Sequence, residues 1–158
     1  MLFTLGLANN ITVLYGLTVA FLLGLCWISW IDIKTFRLPD SINYSLLSLG
    51  LLQAYLMDQK ILLHIMGAVL GYGAFVSIEI AFKAIRNKNG LGRGDAKLLA
   101  VAGAWCGVYA LPIIVAIASL SAILTILILQ KNHQARIPFG TFLSFGMFGV
   151  WIVKHFYY

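Results

Sequence analysis

Charge is what this sequence has least of. Only 10% of its 158 residues are Asp, Glu, Lys or Arg, against about 25% in soluble domains. Acids are the scarcest: Asp32, Asp40, Asp58, Glu79 and Asp95, five in all. With 61% hydrophobic residues and a mean hydropathy of +0.94, this excludes a water-soluble globule. Cysteine is nearly missing too. Cys26 and Cys106 lie in separate apolar runs, and without a CxxC or Cys/His cluster a disulfide framework and a structural zinc site are excluded. No HExxH metalloprotease pattern and no Walker lysine-plus-hydroxyl pattern occurs. Neither a metal nor a cofactor is expected. The first ten residues lack the basic region of a secretory signal, so the apolar run that follows is expected to remain as a membrane span.

What is present is a series of apolar stretches, each bounded by charge, Gly or Pro. They predict about six spans: residues 11–31, 41–57, 61–82, 96–110, a fifth ending near 129, and a sixth from the 137–140 segment to about 153. The fourth is short for a bilayer core of about 30 Å. The expected fold is therefore all-α, a polytopic membrane protein of about six transmembrane helices forming one membrane-embedded domain over 1–158. The net charge of +6 does not imply nucleic acid, because the basic residues are scattered through loops and form no stripe. It reads instead as topology. Lys34, Arg37, Lys83, Arg86, Lys88, Arg93, Lys97, Lys131 and Arg136 fall on one side, and only Lys60 and Lys154 on the other. The positive-inside rule then makes the first, third and fifth loops cytoplasmic and sends both termini outward.

Alternating crossings also sort the acids. The first span ends at Asp32 and the fourth begins at Asp95, so both are expected at one membrane face. Singly, Asp32 reads as a solvated loop acid and Asp95 as a helix N-cap. Together they suggest a carboxylate pair that shares one proton, one member activating water while the other protonates the reacting carbonyl or leaving amine. Glycines at 90, 92 and 94 would give the chain before Asp95 the freedom to approach an extended peptide. Glu79 is expected to pair with Lys83, one helical turn away, Asp40 to cap a helix from Ser41, and Lys97 to orient or hold charge on Asp95. His64, His133 and His155 lie at different depths from any candidate nucleophile, which leaves a Ser/His/Asp site without support. Other classes remain open at this point: a small proton- or cation-coupled transporter relaying through Asp32, Asp95 and Glu79, or a non-catalytic assembly subunit.

The segment Gly92-Arg93-Gly94-Asp95-Ala96-Lys97-Leu98-Leu99-Ala100, continuing to Gly103-Ala104-Trp105 and Gly107, closely resembles the GxGD signature of bacterial type IV prepilin peptidases. Ile31-Asp32 with Leu38-Pro39-Asp40, Leu46-Leu47 to Leu51-Leu52, and Ile137-Pro138-Phe139-Gly140 resemble further segments of that family in order. The resemblance implies an aspartyl endopeptidase that removes the short basic leader of prepilins or pseudopilins at the cytoplasmic face of the bacterial inner membrane. It makes Asp32 and Asp95 the catalytic pair, with Gly92, Gly94 and Lys97 in support. The implied partners are the prepilin substrate and the lipid bilayer. Thr141 stands where the family motif commonly carries proline. The family's N-terminal cysteine-bearing region has no counterpart in this sequence, so N-methyltransferase activity is not expected.

Overall fold

The structure is a computed structural model that describes residues 2–57, 60–86, 92–128 and 137–157, and side chains over 12–57, 60–85, 92–128 and 137–154. Asp58, Lys88, Gly90, Lys131, His133 and Arg136, and the side chains of Arg86 and His155, lie outside the described residues. Six α-helices account for the described fold, and no strand occurs among the described residues: α1 (Leu2–Thr35), α2 (Asp40–Leu56), α3 (Ile61–Arg86), α4 (Arg93–Cys106), α5 (Leu111–Ile128) and α6 (Phe139–Tyr157). The all-α expectation holds. Three of these helices are long and apolar enough to cross a membrane, over Thr12–Thr35, Ile61–Ile85 and Val108–Ile128, and Phe139–Lys154 adds a shorter apolar helix. The chain is a multi-pass membrane protein.

The fourth helix differs from the rest. At 14 residues it is about 21 Å long, too short to cross the hydrocarbon core alone. It is buried on every side: from Ala96 to Cys106 only Lys97 escapes full burial. Its small residues make this possible, because in lipid, helices associate through close backbone packing. A β-carbon on Gly103 would run into the Gly67 carbonyl of α3, and one on Gly71 would lie 2.7 Å from the Leu99 carbonyl oxygen. Trp105 ties α4 to its other neighbours. Its indole N–H donates to the Leu46 carbonyl of α2 at 2.7 Å, and the Phe21 ring of α1 stacks on it at 4.1 Å. Gly50 leaves the space, since a β-carbon there would meet the indole at 2.6 Å.

The ends of α4 are set by backbone geometry. Gly107 takes a φ of +83°, a left-handed-side conformation that costs glycine little. A single 3-10 turn, Val108–Ala110, then leads into α5. The fourth helix therefore stops at Cys106, four residues short of the expected end. Pro112 sits in the first turn of α5, where its missing N–H leaves no intrahelical bond unmade.

His64, buried at 4% exposure, shares a hydrogen bond between Nδ1 and the Ala104 carbonyl at 2.8 Å, as befits a satisfied structural histidine. Lys154 of α6 reaches its other ring nitrogen at 3.5 Å and the Cys106 carbonyl at 3.4 Å. These bonds lock α3, α4 and α6 together beside the C-terminal end of α4.

The α3–α4 approach yields a direct test. Gly103→Val should cost at least the 1–3 kcal/mol of ordinary overpacking, because the obstruction is backbone. Gly73→Ala, with open space around its β-carbon, should be neutral or stabilising by up to about 1 kcal/mol. Denaturant unfolding in mild detergent separates the two.

Candidate active site

The N-terminal end of α4, the C-terminal end of α1 and the first turn of α6 converge on one cavity of about 1120 Å³, and both Asp32 and Asp95 line it. The two acids, 63 positions apart in the chain, are close enough for the charge of Asp32 to act on Asp95. The expected juxtaposition is present.

Local chemistry explains how each acid is held. Asp32 occupies the last turns of α1. The helix ends three residues later, where Thr35 Oγ1 donates to the Ile31 carbonyl at 2.9 Å and Phe36 turns the chain with a φ of 52°. Asp32 is only 4% exposed, so its carboxylate needs donors. Thr141 supplies two: its backbone N–H donates to Asp32 Oδ2 at 2.8 Å and its hydroxyl to the same oxygen at 3.2 Å. Asp95 stands in the first turn of α4. Burial pushes its carboxyl up to about 7, and the Asp32 charge adds to the rise. The two environments differ: one acid has two Thr141 donors on a single oxygen, and the other, without them, is driven towards its protonated form.

The glycines serve the site through their missing side chains. Gly92 is extended, with φ −77°, and Gly94 lies inside α4, so neither has a backbone conformation that requires glycine. A β-carbon on Gly94 would lie 2.9 Å from Leu38 Cβ, and one on Gly140 would lie 3.0 Å from both Asp32 Oδ2 and Leu38 Cδ1. Leu38 is thus wedged between the starts of α4 and α6. A β-carbon on Gly92 would sit 3.3 Å from Asp95 Oδ2.

Three expectations about charge need correction. Lys97 does not hold Asp95; its ammonium pairs with Asp40 Oδ1 at 2.6 Å. Two residues apart on a helix is nearly opposite faces, so Lys97 points to α2 while Asp95 points to α1. Asp40 does not cap α2. The helix begins at Asp40 itself, Pro39 holds the capping position without a side-chain bond, and the Asp40 carboxylate is spent on Lys97. Glu79 pairs with Arg93 at 3.5 Å rather than with Lys83, because the start of α4 lies against α3.

Thr141 is the residue that sequence reasoning passed over. It registered only as a departure from a proline. Its donor role depends on α6 returning to α1 across 109 residues, a relation no local pattern encodes.

An all-helical membrane fold that gathers two carboxylates from different helices into one cavity defines a class, the membrane-embedded paired-acid proteins. Within it, this chain belongs to the type IV leader peptidase family, whose model matches residues 19–128. It is 41% identical over 140 residues, 82% of this chain and 60% of the relative, to a prepilin leader peptidase/N-methyltransferase of Escherichia coli K12. It is 39% identical over 150 residues, 90% and 52% of the respective chains, to one of Aeromonas salmonicida A449. A Neisseria gonorrhoeae protein of the same description is 33% identical over 128 residues, 79% and 43%. The chain spans about half the length of the curated relatives it matches. No solved structure matches it.

The Asp32–Thr141 pair can be tested by stability alone. Thr141→Pro removes both donors yet is tolerated in a first helical turn; it should cost about 1.5–3 kcal/mol, the worth of hydrogen bonds to a charged group. Thr141→Val, which loses only the longer bond, should cost less, and Thr141→Ser little. The order is read from unfolding midpoints above pH 8; equal midpoints for Pro and Ser would contradict it.

Proposed function

We propose that this protein is an aspartyl endopeptidase that cleaves the basic leader from prepilins or pseudopilins, with Asp32 and Asp95 as its catalytic residues. The observation that carries this reading is the unequal pair: two carboxylates share a cavity large enough for a peptide, one bonded to Thr141 and the other driven by burial towards its protonated form. The names of the relatives supply the substrate class.

The chemistry follows from that asymmetry. Asp32, its Oδ2 occupied by the two Thr141 donors, is the carboxylate and general base. Asp95, raised to about 7, is the protonated acid. As Asp32 takes a proton from water, the water oxygen bonds to the scissile carbonyl carbon and Asp95 protonates the carbonyl oxygen. The resulting gem-diol collapses: the C–N bond breaks, Asp32 delivers its proton to the leaving amine, and a hydroxyl proton returns to Asp95. Both acids are restored, and no covalent intermediate is required.

Topology completes the proposal. The lysine and arginine distribution supports an orientation with the acid-bearing end of the bundle at the cytoplasmic face and both termini outward, and the family supports the bacterial inner membrane as the setting. A substrate whose basic leader stays in the cytoplasm and whose following segment is apolar would present its cleavage site at that depth. The transporter alternative has less support, since Glu79, the third acid such a relay would need, is neutralised by Arg93.

Two outcomes test the reading. Asp32→Asn and Asp95→Asn should each lower cleavage of a co-expressed prepilin by at least about 10²–10⁴, the usual worth of general acid–base catalysis, without loss of folded protein. For wild type, kcat/KM should fall as pH rises through about 7, where Asp95 loses the proton it must donate. Full activity of either variant, or a rate still rising well above that pH, would refute the assignment.

A further inference from the structure

Among the described residues two buried side chains carry polar atoms without a hydrogen-bond partner, the Ser144 hydroxyl and the Asn43 amide, and of these Asn43 lines a cavity. Asn43 on α2 is 1% exposed, and neither its amide nitrogen nor its amide oxygen has a hydrogen-bond partner among the described residues. Buried amides in folded proteins are almost always paired, and an unpaired donor and acceptor on one side chain implies a partner that supplies both. Asn43 lines a second cavity of about 480 Å³ between α2, α3 and α4, within the size range of ligand pockets.

The lining indicates what that partner is. Leu47 and Leu51 of α2 and Ile65 and Val69 of α3 make the walls apolar, and Ala68 and Ala100 are the small residues between them. Lys97 lines both this crevice and the cavity that holds Asp32 and Asp95. Its ammonium lies 5.5 Å from the Tyr44 ring, another residue of the crevice, and pairs with Asp40 on the catalytic side. The two cavities therefore adjoin at Lys97.

A peptide bond inside a helix is shielded from hydrolysis, so the segment around a scissile bond must unwind. In or beside a bilayer, each unwound peptide group then carries an N–H and a C=O that water does not satisfy. The Asn43 amide presents the complementary acceptor and donor. A lipid acyl chain has neither group, and a lipid ester has only an acceptor.

We propose that the α2–α3–α4 crevice binds the unwound, apolar peptide segment adjoining the scissile bond, with the Asn43 side-chain amide pairing to one of its backbone peptide groups. The proposal rests on the peptidase reading for the identity of that peptide. Asn43 touches no reacting atom and is a positioning residue.

Two measurements decide it. The first places a photo-cross-linking residue at Val69, 65% exposed on the crevice wall, in the full chain carrying Asp95→Asn and co-expressed with a prepilin. Leu124, on the separate apolar surface of α5, is the control position. Prepilin adducts from Val69 and none from Leu124 are expected; adducts with lipid alone, or equal prepilin yields from both positions, overturn the site. The second is cleavage kinetics of Asn43→Leu. Removing an unpaired polar group should leave the folded protein at least as stable, while KM rises about tenfold, the loss of one to two hydrogen bonds, and kcat holds. An unchanged KM means that the amide holds only water, and overturns the pairing. Should Asn43→Leu fold poorly, Val69→Trp blocks the same crevice from its exposed wall, and the same rise in KM is expected. Capture at Val69 by a protein whose wild type cleaves nothing would sink the peptidase reading and keep the site. Cleavage without capture would do the reverse.

Discussion

A carboxylate buried among apolar helices is the constraint on which this structure turns. Asp32 has almost no access to water, and a charge so placed must find donors inside the protein. It finds them on Thr141, which requires the start of α6 to lie against the end of α1. Once that contact is made, a side chain at Gly140 would press on both Asp32 and Leu38. Leu38 in turn reaches Gly94 and so fixes where α4 begins. The position of Asp95 follows from the same chain of contacts.

The second requirement is a scaffold that does not give way around this arrangement. The central helix α4 provides it by being small-sided where α3 approaches and large where α1 and α2 need an anchor. Gly103 brings the α3 and α4 backbones together, while Trp105 fills the opposite side and bonds to Leu46. A helix of this kind gains little from hydropathy, and its stability comes from packing and from polar bonds such as those of Trp105 and His64. Asp32 and Asp95 both line the large cavity.

Charge elsewhere is arranged to leave the two acids to each other. Asp40 neutralises Lys97 and Arg93 neutralises Glu79. Both pairs link different helices, which is why neighbour rules along the sequence misplaced them. Lys97 follows Asp95 by two residues and was expected to serve it, yet helical geometry turns it away. Glu79 has Lys83 one turn along its own helix, but Arg93 comes from a different helix that only tertiary packing brings near.

The sequence by itself determined the helical class, the number of helices, and that Asp32 and Asp95 come together at one end of the bundle. These follow from hydropathy and from the alternation of crossings, which are one-dimensional properties of the chain. It also marked Gly92 and Gly94 as neighbours of Asp95 in the site. Only the tertiary structure decided that Thr141 supports Asp32, that Lys97 belongs to Asp40, that α4 is enclosed and stops at Cys106, and that Asn43 faces a crevice with its amide unpaired. Each of these depends on which side chains meet across helices far apart in the chain, and periodicity, which reports which face of a helix is apolar, carries no information about which partner that face will find.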